Sequence, residues 1–457
     1  MKAYDGLSRV RSALAVRGRL KRLTAEALWV MAQQAGAVVA AFIGVKLLTR
    51  LLGPAEFGNL AVDNTIMSFV GTTAFGAFGQ GLLRFHSVCS DQGQLRSFYA
   101  LGHRLTVTLG LATFALVALA MALSWIVGQR GHVPSIAASS LAGLFAGLLG
   151  LKTTVFLASR QRKTVALLSV ADALLRPLVA SLLILAIAPK SLTALCGYCV
   201  ATLAVFCLAE LLYHREAGLA KGDPANKARD DADVGFLWKE MWAYSWPFVV
   251  WAGAGWVHLS CDRWVLRAFY GPAVVGAFAV VSQLSVFPLT FGSGFLTSLF
   301  GPIAFQRAGD LKGEGNLAGA SRVLVLTTAI YVVGLAALVG IFAACHDWLV
   351  LLVSNESFLA YAYLLPWMTL AWGLFYLGQI LVQWGFLVRK TASYIMPKCC
   401  AACIALVLSI ALAPQKGPAG IVWALGAAGL VYAVWCGYIA VKVMMATRPS
   451  ILEAAVV

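Results

Sequence analysis

The chemistry most legible in this chain is carried by a few charged side chains set in long apolar runs. In "SVADALLRPLV", Asp172 and Arg176 stand four residues apart, a spacing that puts both on one helical face. They are either an anion-contacting arginine oriented by its carboxylate or an ion pair that locks helices together. Pro177 follows at once and marks a local helix break. Lys46/Arg50 and Arg263/Arg267 repeat the spacing with two cations each. Each pair ends an apolar run and precedes a Gly-Pro turn, "GPAEFG" at 53–58 and "GPAVVG" at 271–276. Long basic side chains there either snorkel to headgroups or lend positive potential to an aqueous vestibule, with Asp262 beside Arg263 placed to temper it. Lys152 in "GLLGLKTTVFLASR" and Arg84 after "GQGLL" are anion contacts or flanking anchors. Asp63 beside Asn64 is either a site for a coupling proton or sodium ion or a partner for Lys46 or Arg50. Gln379 and Gln383, with Tyr376 one turn earlier, form a stripe suited to sugar hydroxyls or to helix-helix hydrogen bonds. Gln80, Ser282 and Gln283 are further uncharged groups of that kind.

The elements that position these groups are membrane spans. Hydrophobic residues make up 61% of the 457 and charged residues 12%, against roughly 25% charged in a soluble domain. A helix needs about 20 apolar residues to cross the hydrocarbon core. Runs of that kind lie near 27–49, 58–82, 101–127, 135–158, 165–188 and 191–213, then near 243–266, 273–300, 321–344, 358–387, 392–413 and 419–442. The expected fold is an all-α integral membrane protein of twelve transmembrane helices in two six-helix lobes around a central cleft. Its parts are a basic cytoplasmic segment at 1–26, a first lobe at 27–213, a cytoplasmic linker at 214–240, a second lobe at 241–442 and a tail at 443–457. Lys and Arg set the orientation. With the N-terminus inside, inner connections and tails hold 26 of the 35, including all seven of the first 22 residues, and outer ends hold seven. Both termini are therefore expected in the cytoplasm, and that basic start is too long and too charged for an ordinary signal peptide.

The net charge of +16 is absorbed by this topology and does not imply nucleic acid. Gly-rich stretches at 69–81 and 290–302 make spans two and eight the expected cleft-lining, mobile helices. The ten cysteines fall mostly inside apolar runs and "CGYC" at 196–199 lacks a soluble redox context. No disulfide, metal or cofactor is expected. The six histidines are scattered, no hydrolytic or transferase constellation stands at an aqueous edge, and the longest polar stretch is too short for a nucleotide domain. A transporter, not an enzyme, is the expected class.

"KLLTRLLGPAEFGNLAVDNTIMSFVGTTAFGAFGQGLLRF" at 46–85 resembles the opening of bacterial polysaccharide-repeat flippases. That family shares a superfamily with multidrug and toxic-compound extruders and the lipid II flippase. "YSWPFVV" at 244–250, "CDRWVLRAFYGPAVVGAFAVVSQL" at 261–284 and "GPIAF" at 301–305 resemble its seventh and eighth helices. Arg50, Gly53, Pro54 and Gly58 match the first-lobe signature, and Asp262, Arg263, Gly271, Pro272 and Gly276 the second. The glycines and prolines should shape helix junctions. The resemblance implies flipping of undecaprenyl-diphosphate-linked oligosaccharide from the cytoplasmic to the periplasmic leaflet of the bacterial inner membrane, for O-antigen lipopolysaccharide, capsule or exopolysaccharide synthesis. Partners would be the lipid-linked substrate, membrane lipids, a polysaccharide polymerase and assembly proteins. Arg176 and Lys152 are expected to engage the headgroup, with Arg50, Arg263 and Arg267 drawing it outward. The competing readings are a cation-coupled multidrug exporter, which should carry unpaired acids in its cleft, a lipid II flippase, usually of fourteen spans, and a nontransporting assembly scaffold.

Overall fold

The structure, a computed structural model, describes residues 2–128, 130–219, 227–308, 317–387 and 391–446. Its twelve helices are α1 (Lys2–Asp91), α2 (Leu95–Ile126), α3 (Val133–Ala158), α4 (Arg162–Ala186), α5 (Ser191–Leu219), α6 (Lys227–Tyr270), α7 (Pro272–Ala308), α8 (Leu317–Val353), α9 (Leu365–Leu381), the short α10 (Gln383–Leu387), α11 (Ile395–Lys416) and α12 (Pro418–Ala446). The described residues contain no strand.

Three junctions share one local cause. Gly53, Gly271 and Gly417 have φ of 69, 80 and 63°, a region closed to most side chains, and each is followed by proline. Proline presets helical φ and has no N–H to leave unsatisfied, so it begins the next helix well. At Gly53 this splits α1 into two arms; at Gly271 and Gly417 it divides α6 from α7 and α11 from α12. The third junction, in "KGPAG", goes unnoticed in the sequence because no basic pair precedes it.

Ten helices among the described residues are long and apolar enough to cross a membrane. The two arms of α1 count there as one and correspond to expected spans one and two. Expected span seven lies in α6, which is not among the ten because six tryptophans, His258 and a charged C-terminal turn dilute its hydropathy. The expected linker at 214–240 is largely helix: α5 runs on to Leu219 and α6 begins at Lys227. The basic start likewise belongs to α1, its side chains outside the described residues. The tail beyond residue 446 is outside them as well. Span ten divides into a 3-10 segment, Glu356–Leu364, followed by α9 and α10.

Both arms of α1 and α2–α5 form the first lobe, α6–α12 the second. Many large apolar side chains are exposed, Leu111, Phe114, Leu185 and Val333 among them, a surface suited to the hydrocarbon of a bilayer. The cores show where the lobes meet. One apolar cluster joins Leu48, Phe57 and Leu60 of α1 to Leu266, Val275 and Phe278 of the second lobe. At the other end a cluster around Phe98 and Phe156 takes in Val234, Leu237 and Met241 of α6, and a separate one lies around Val323 and Trp384. The molecule is sealed at the Gly-Pro end; at the other the two clusters part, while the start of α6 stays packed on the first lobe.

Candidate functional site: the cleft between the lobes

The seal has a reciprocal geometry. A Cβ on Gly58 would overlap the carbonyl oxygen of Pro272, and one on Gly276 would overlap that of Pro54. The two sequence repeats therefore meet each other across the lobe boundary, backbone against backbone. Phe57 adds an edge-on contact with Phe358 at 5.8 Å. Further along α1, Thr65 accepts from the indole N–H of Trp256 through its carbonyl (2.7 Å) and from that of Trp264 through its hydroxyl (2.9 Å). These hydrogen bonds clasp α1 to α6.

Below the seal lies a cavity of about 870 Å³ whose polar lining includes Asn64, Ser68, Thr72, Gln80, Arg176, Tyr198, Arg263, Ser282 and Gln283. A second cavity of about 1630 Å³ lies between the parted cores. Thr72, Gly76 and Gln80 line both, so the two form one cleft. The small residues of α1 and α7 have a use here: Gly76 and Gly292 have no neighbour where a side chain would stand, leaving room in the cleft wall or beside it.

Arg176 is held as its spacing suggests. Its Nε donates to Asp172 Oδ1 at 3.1 Å and to Thr202 Oγ1 at 2.9 Å, and Nη2 pairs with Asp172 Oδ2. The fork fixes the guanidinium plane and leaves the side chain 25% exposed, toward the cavity. Arg263 reaches the same cavity from α6, its Nη1 donating to the Leu259 carbonyl at 3.1 Å. Asp262 does not face it: the residue is 0% exposed and its Oδ1 accepts from the Arg263 backbone N–H at 2.8 Å.

The larger cavity is lined by Arg84, Thr290, Ser293, Thr297, Tyr376, Gln379 and Gln383. Gln379 and Gln383 share this wall although the helix breaks between them, after Leu381. Facing them, Tyr244, Phe248 and Trp251 of α6 form an aromatic stripe, and the Arg84 guanidinium stacks over Tyr244 at 4.7 Å. Sequence reasoning missed this stripe; its i,i+4 and i,i+3 spacing among tryptophans was the available signal.

Lys152 requires a correction. It is 1% exposed and lines neither cavity; it is sealed within the first lobe, its Nζ 3.0 Å from Glu210 Oε2 and 3.6 Å from the centre of the Tyr213 ring. Glu210 also meets His214 at 3.1 Å. The residue is an interior tie between α3 and α5, its pairing with Glu210 offsetting the cost of burying an ammonium. Lys46 and Arg50 also stand away from both cavities, half-buried and exposed respectively. Asp63 has no ion pair with either among the described residues. It is buried within electrostatic reach of Arg267 on the other lobe, because the turn at Gly53 sends the second arm of α1 toward α6.

Two groups of apolar helices about a polar, cation-bearing cleft, sealed at one end, define a multi-pass membrane protein with an internal cleft. A family model for polysaccharide biosynthesis proteins matches residues 23–305, and the chain belongs to that family. Among solved structures, the lipid II flippase MurJ in an inward closed conformation superposes with a TM-score of 0.67 at 11% identity, over 92% of this chain and 90% of that one. A point mutant of the Vibrio cholerae MATE transporter VcmN gives 0.64 at 13%, over 94% and 97%. The eukaryotic MATE transporter AtDTX14 gives 0.60 at 13%, over 94% and 98%. At these identities the likeness is one of fold. No curated protein matches the sequence.

Proposed function

We propose that this protein flips undecaprenyl-diphosphate-linked oligosaccharide repeat units across the bacterial cytoplasmic membrane by alternating access. The observation that carries the reading is the continuous cleft with unlike ends in a chain of the polysaccharide biosynthesis family. Its inner part has the oriented Arg176 and Arg263, suited to phosphate oxygens. Its wide part has amide and hydroxyl groups opposite aromatic rings, suited to sugars. The polyprenyl tail stays in lipid beside the lobes, so only the headgroup needs a wet route.

With the termini cytoplasmic, as the charge bias requires, the parted end opens inward and receives the substrate. Rocking of the lobes then separates Gly58 from Pro272 and Gly276 from Pro54, opening the outer side. Asp172 fixes the arginine before the substrate arrives, so little ordering remains for the bound state. The acid is paired, which disfavours a cleft built for organic cations.

The test is deletion of the gene followed by mass spectrometry of lipid-linked glycans. An undecaprenyl-diphosphate oligosaccharide should accumulate and be cleared by the wild-type protein but poorly by Arg176→Ala. No accumulation, with the glycan assembly enzymes present, would sink the proposal.

A further inference from the structure

Lys398 counts in the sequence as one more basic residue of a cytoplasmic connection. The structure puts it elsewhere. It lies in the first turn of α11 and is only 8% exposed. Its Nζ sits 4.0 Å from the centre of the Trp251 ring, and Trp251 lines the wide cavity. One turn on, Gly255 supplies the space, since a Cβ there would stand 3.3 Å from that same Nζ. A single indole thus separates the ammonium from the cleft.

What surrounds Lys398 makes the placement unusual. Among the described residues no carboxylate pairs with it. The titratable groups facing it are the thiols of Cys399 on its own helix and Cys436 on α12, and the His258 ring of α6. His258 is itself buried, stacked on Phe375 at 4.2 Å. A cation removed from water without an anion carries a desolvation penalty, and the face of one indole offsets only part of it. Lys152 shows the contrasting solution within the same chain, with Glu210 at 3.0 Å.

Two turns before Trp251 on α6, Arg84 stacks in the same way on Tyr244. Seven helical residues are about 10 Å, so two cations stack on rings of one helix, Arg84 in the wall of the wide cavity and Lys398 against Trp251. We infer that Lys398 is an anion-contacting residue of the cleft, its missing partner being the diphosphate of a polyprenyl-linked substrate, reached when the Trp251 indole turns aside. The inference rests on the flippase reading above. It makes the wide region, nearer the parted end, the place where the headgroup is first captured, ahead of Arg176.

The test uses the full-length protein in nanodiscs of fixed phospholipid composition, with farnesyl diphosphate and farnesol as probes. Affinity is measured by titration, and acylation of Lys398 by an aqueous amine reagent is read by peptide mass spectrometry. Wild type should bind the diphosphate at least tenfold more tightly than the alcohol. Lys398→Met should cut that preference at least fivefold with alcohol binding unchanged, and Lys398→Arg should restore part of it. Trp251→Ala should raise acylation of Lys398, and farnesyl diphosphate, but not farnesol, should suppress it. The labelling arm stands even if the Met variant fails to fold. A folded Lys398→Met protein that keeps the preference, or acylation in Trp251→Ala that the diphosphate leaves unchanged, overturns the assignment while the flippase reading stands. If wild type itself shows no preference for the diphosphate, the flippase reading fails and this inference with it.

Discussion

At the scale of single residues, identical charges have different duties according to what they touch. Arg176 keeps a quarter of its side chain exposed while Asp172 and Thr202 hold its plane. Loss of one charged hydrogen-bonding group costs about 1.5–3 kcal/mol. Arg176→Ala should therefore weaken farnesyl diphosphate binding by about 10- to 100-fold, measured by titration in nanodiscs, with a fall in melting temperature because it leaves the buried Asp172 unpaired. Lys152 should differ in leaving the probe untouched. Removing one partner of a buried ion pair costs about 3–5 kcal/mol, so Lys152→Met should lower the melting temperature clearly and leave probe affinity unchanged. The spacing of Asp172 and Arg176 announced their pairing. Nothing in "GLLGLKTTV" announced that Lys152 turns inward, because its partner, Glu210, is 58 residues away and only the packing of α3 on α5 brings it near.

At the scale of elements, the Gly-Pro junctions do more than turn the chain. Gly58 and Gly276 let two backbones touch across the lobe boundary, and a larger side chain at either position has nowhere to go. Gly58→Leu or Gly276→Leu should shift the population toward an open seal. Spin labels at exposed Ala55 and Ala273, in a background without the exposed cysteines, should report a longer distance by electron resonance than the same labels on the glycine protein. An unchanged distance would count against a gating role for the seal. Thr65→Val removes the hydroxyl acceptor for Trp264 while leaving the carbonyl for Trp256. The loss of about 1 kcal/mol should move the same distribution in the same direction, by less. The sequence displayed both glycine signatures, but not that each is the other's contact, since a repeat in one dimension carries no information about which surfaces face.

At the scale of the whole molecule, one core is shared by the lobes at the Gly-Pro end, and at the other end two clusters part with only the start of α6 bridging to the first lobe. The substrate proposed for this cleft is an anion, and an inside-negative potential favours its outward passage by about 2.3 kcal/mol per charge per 100 mV. In proteoliposomes, imposing that potential should speed net outward flipping of farnesyl diphosphate, and reversing it should slow it; indifference to potential, with sensitivity to a proton or sodium gradient instead, would point to a coupled cycle. Hydropathy and the Lys/Arg bias alone determined that the chain is an all-helical membrane protein and how many spans to look for, because lipid tests each segment separately for apolar length. The pattern within each run also marked the cleft-lining glycines of α1 and the stripe of Tyr376, Gln379 and Gln383. Only the tertiary structure decided that Arg176 and Arg263 share a cavity, that Lys152 does not reach it, and that Lys398 stands behind Trp251. A buried charge is defined by its partners, and those partners come from helices far apart in the chain, so the decision belongs to packing between helices and not to the composition of any one of them.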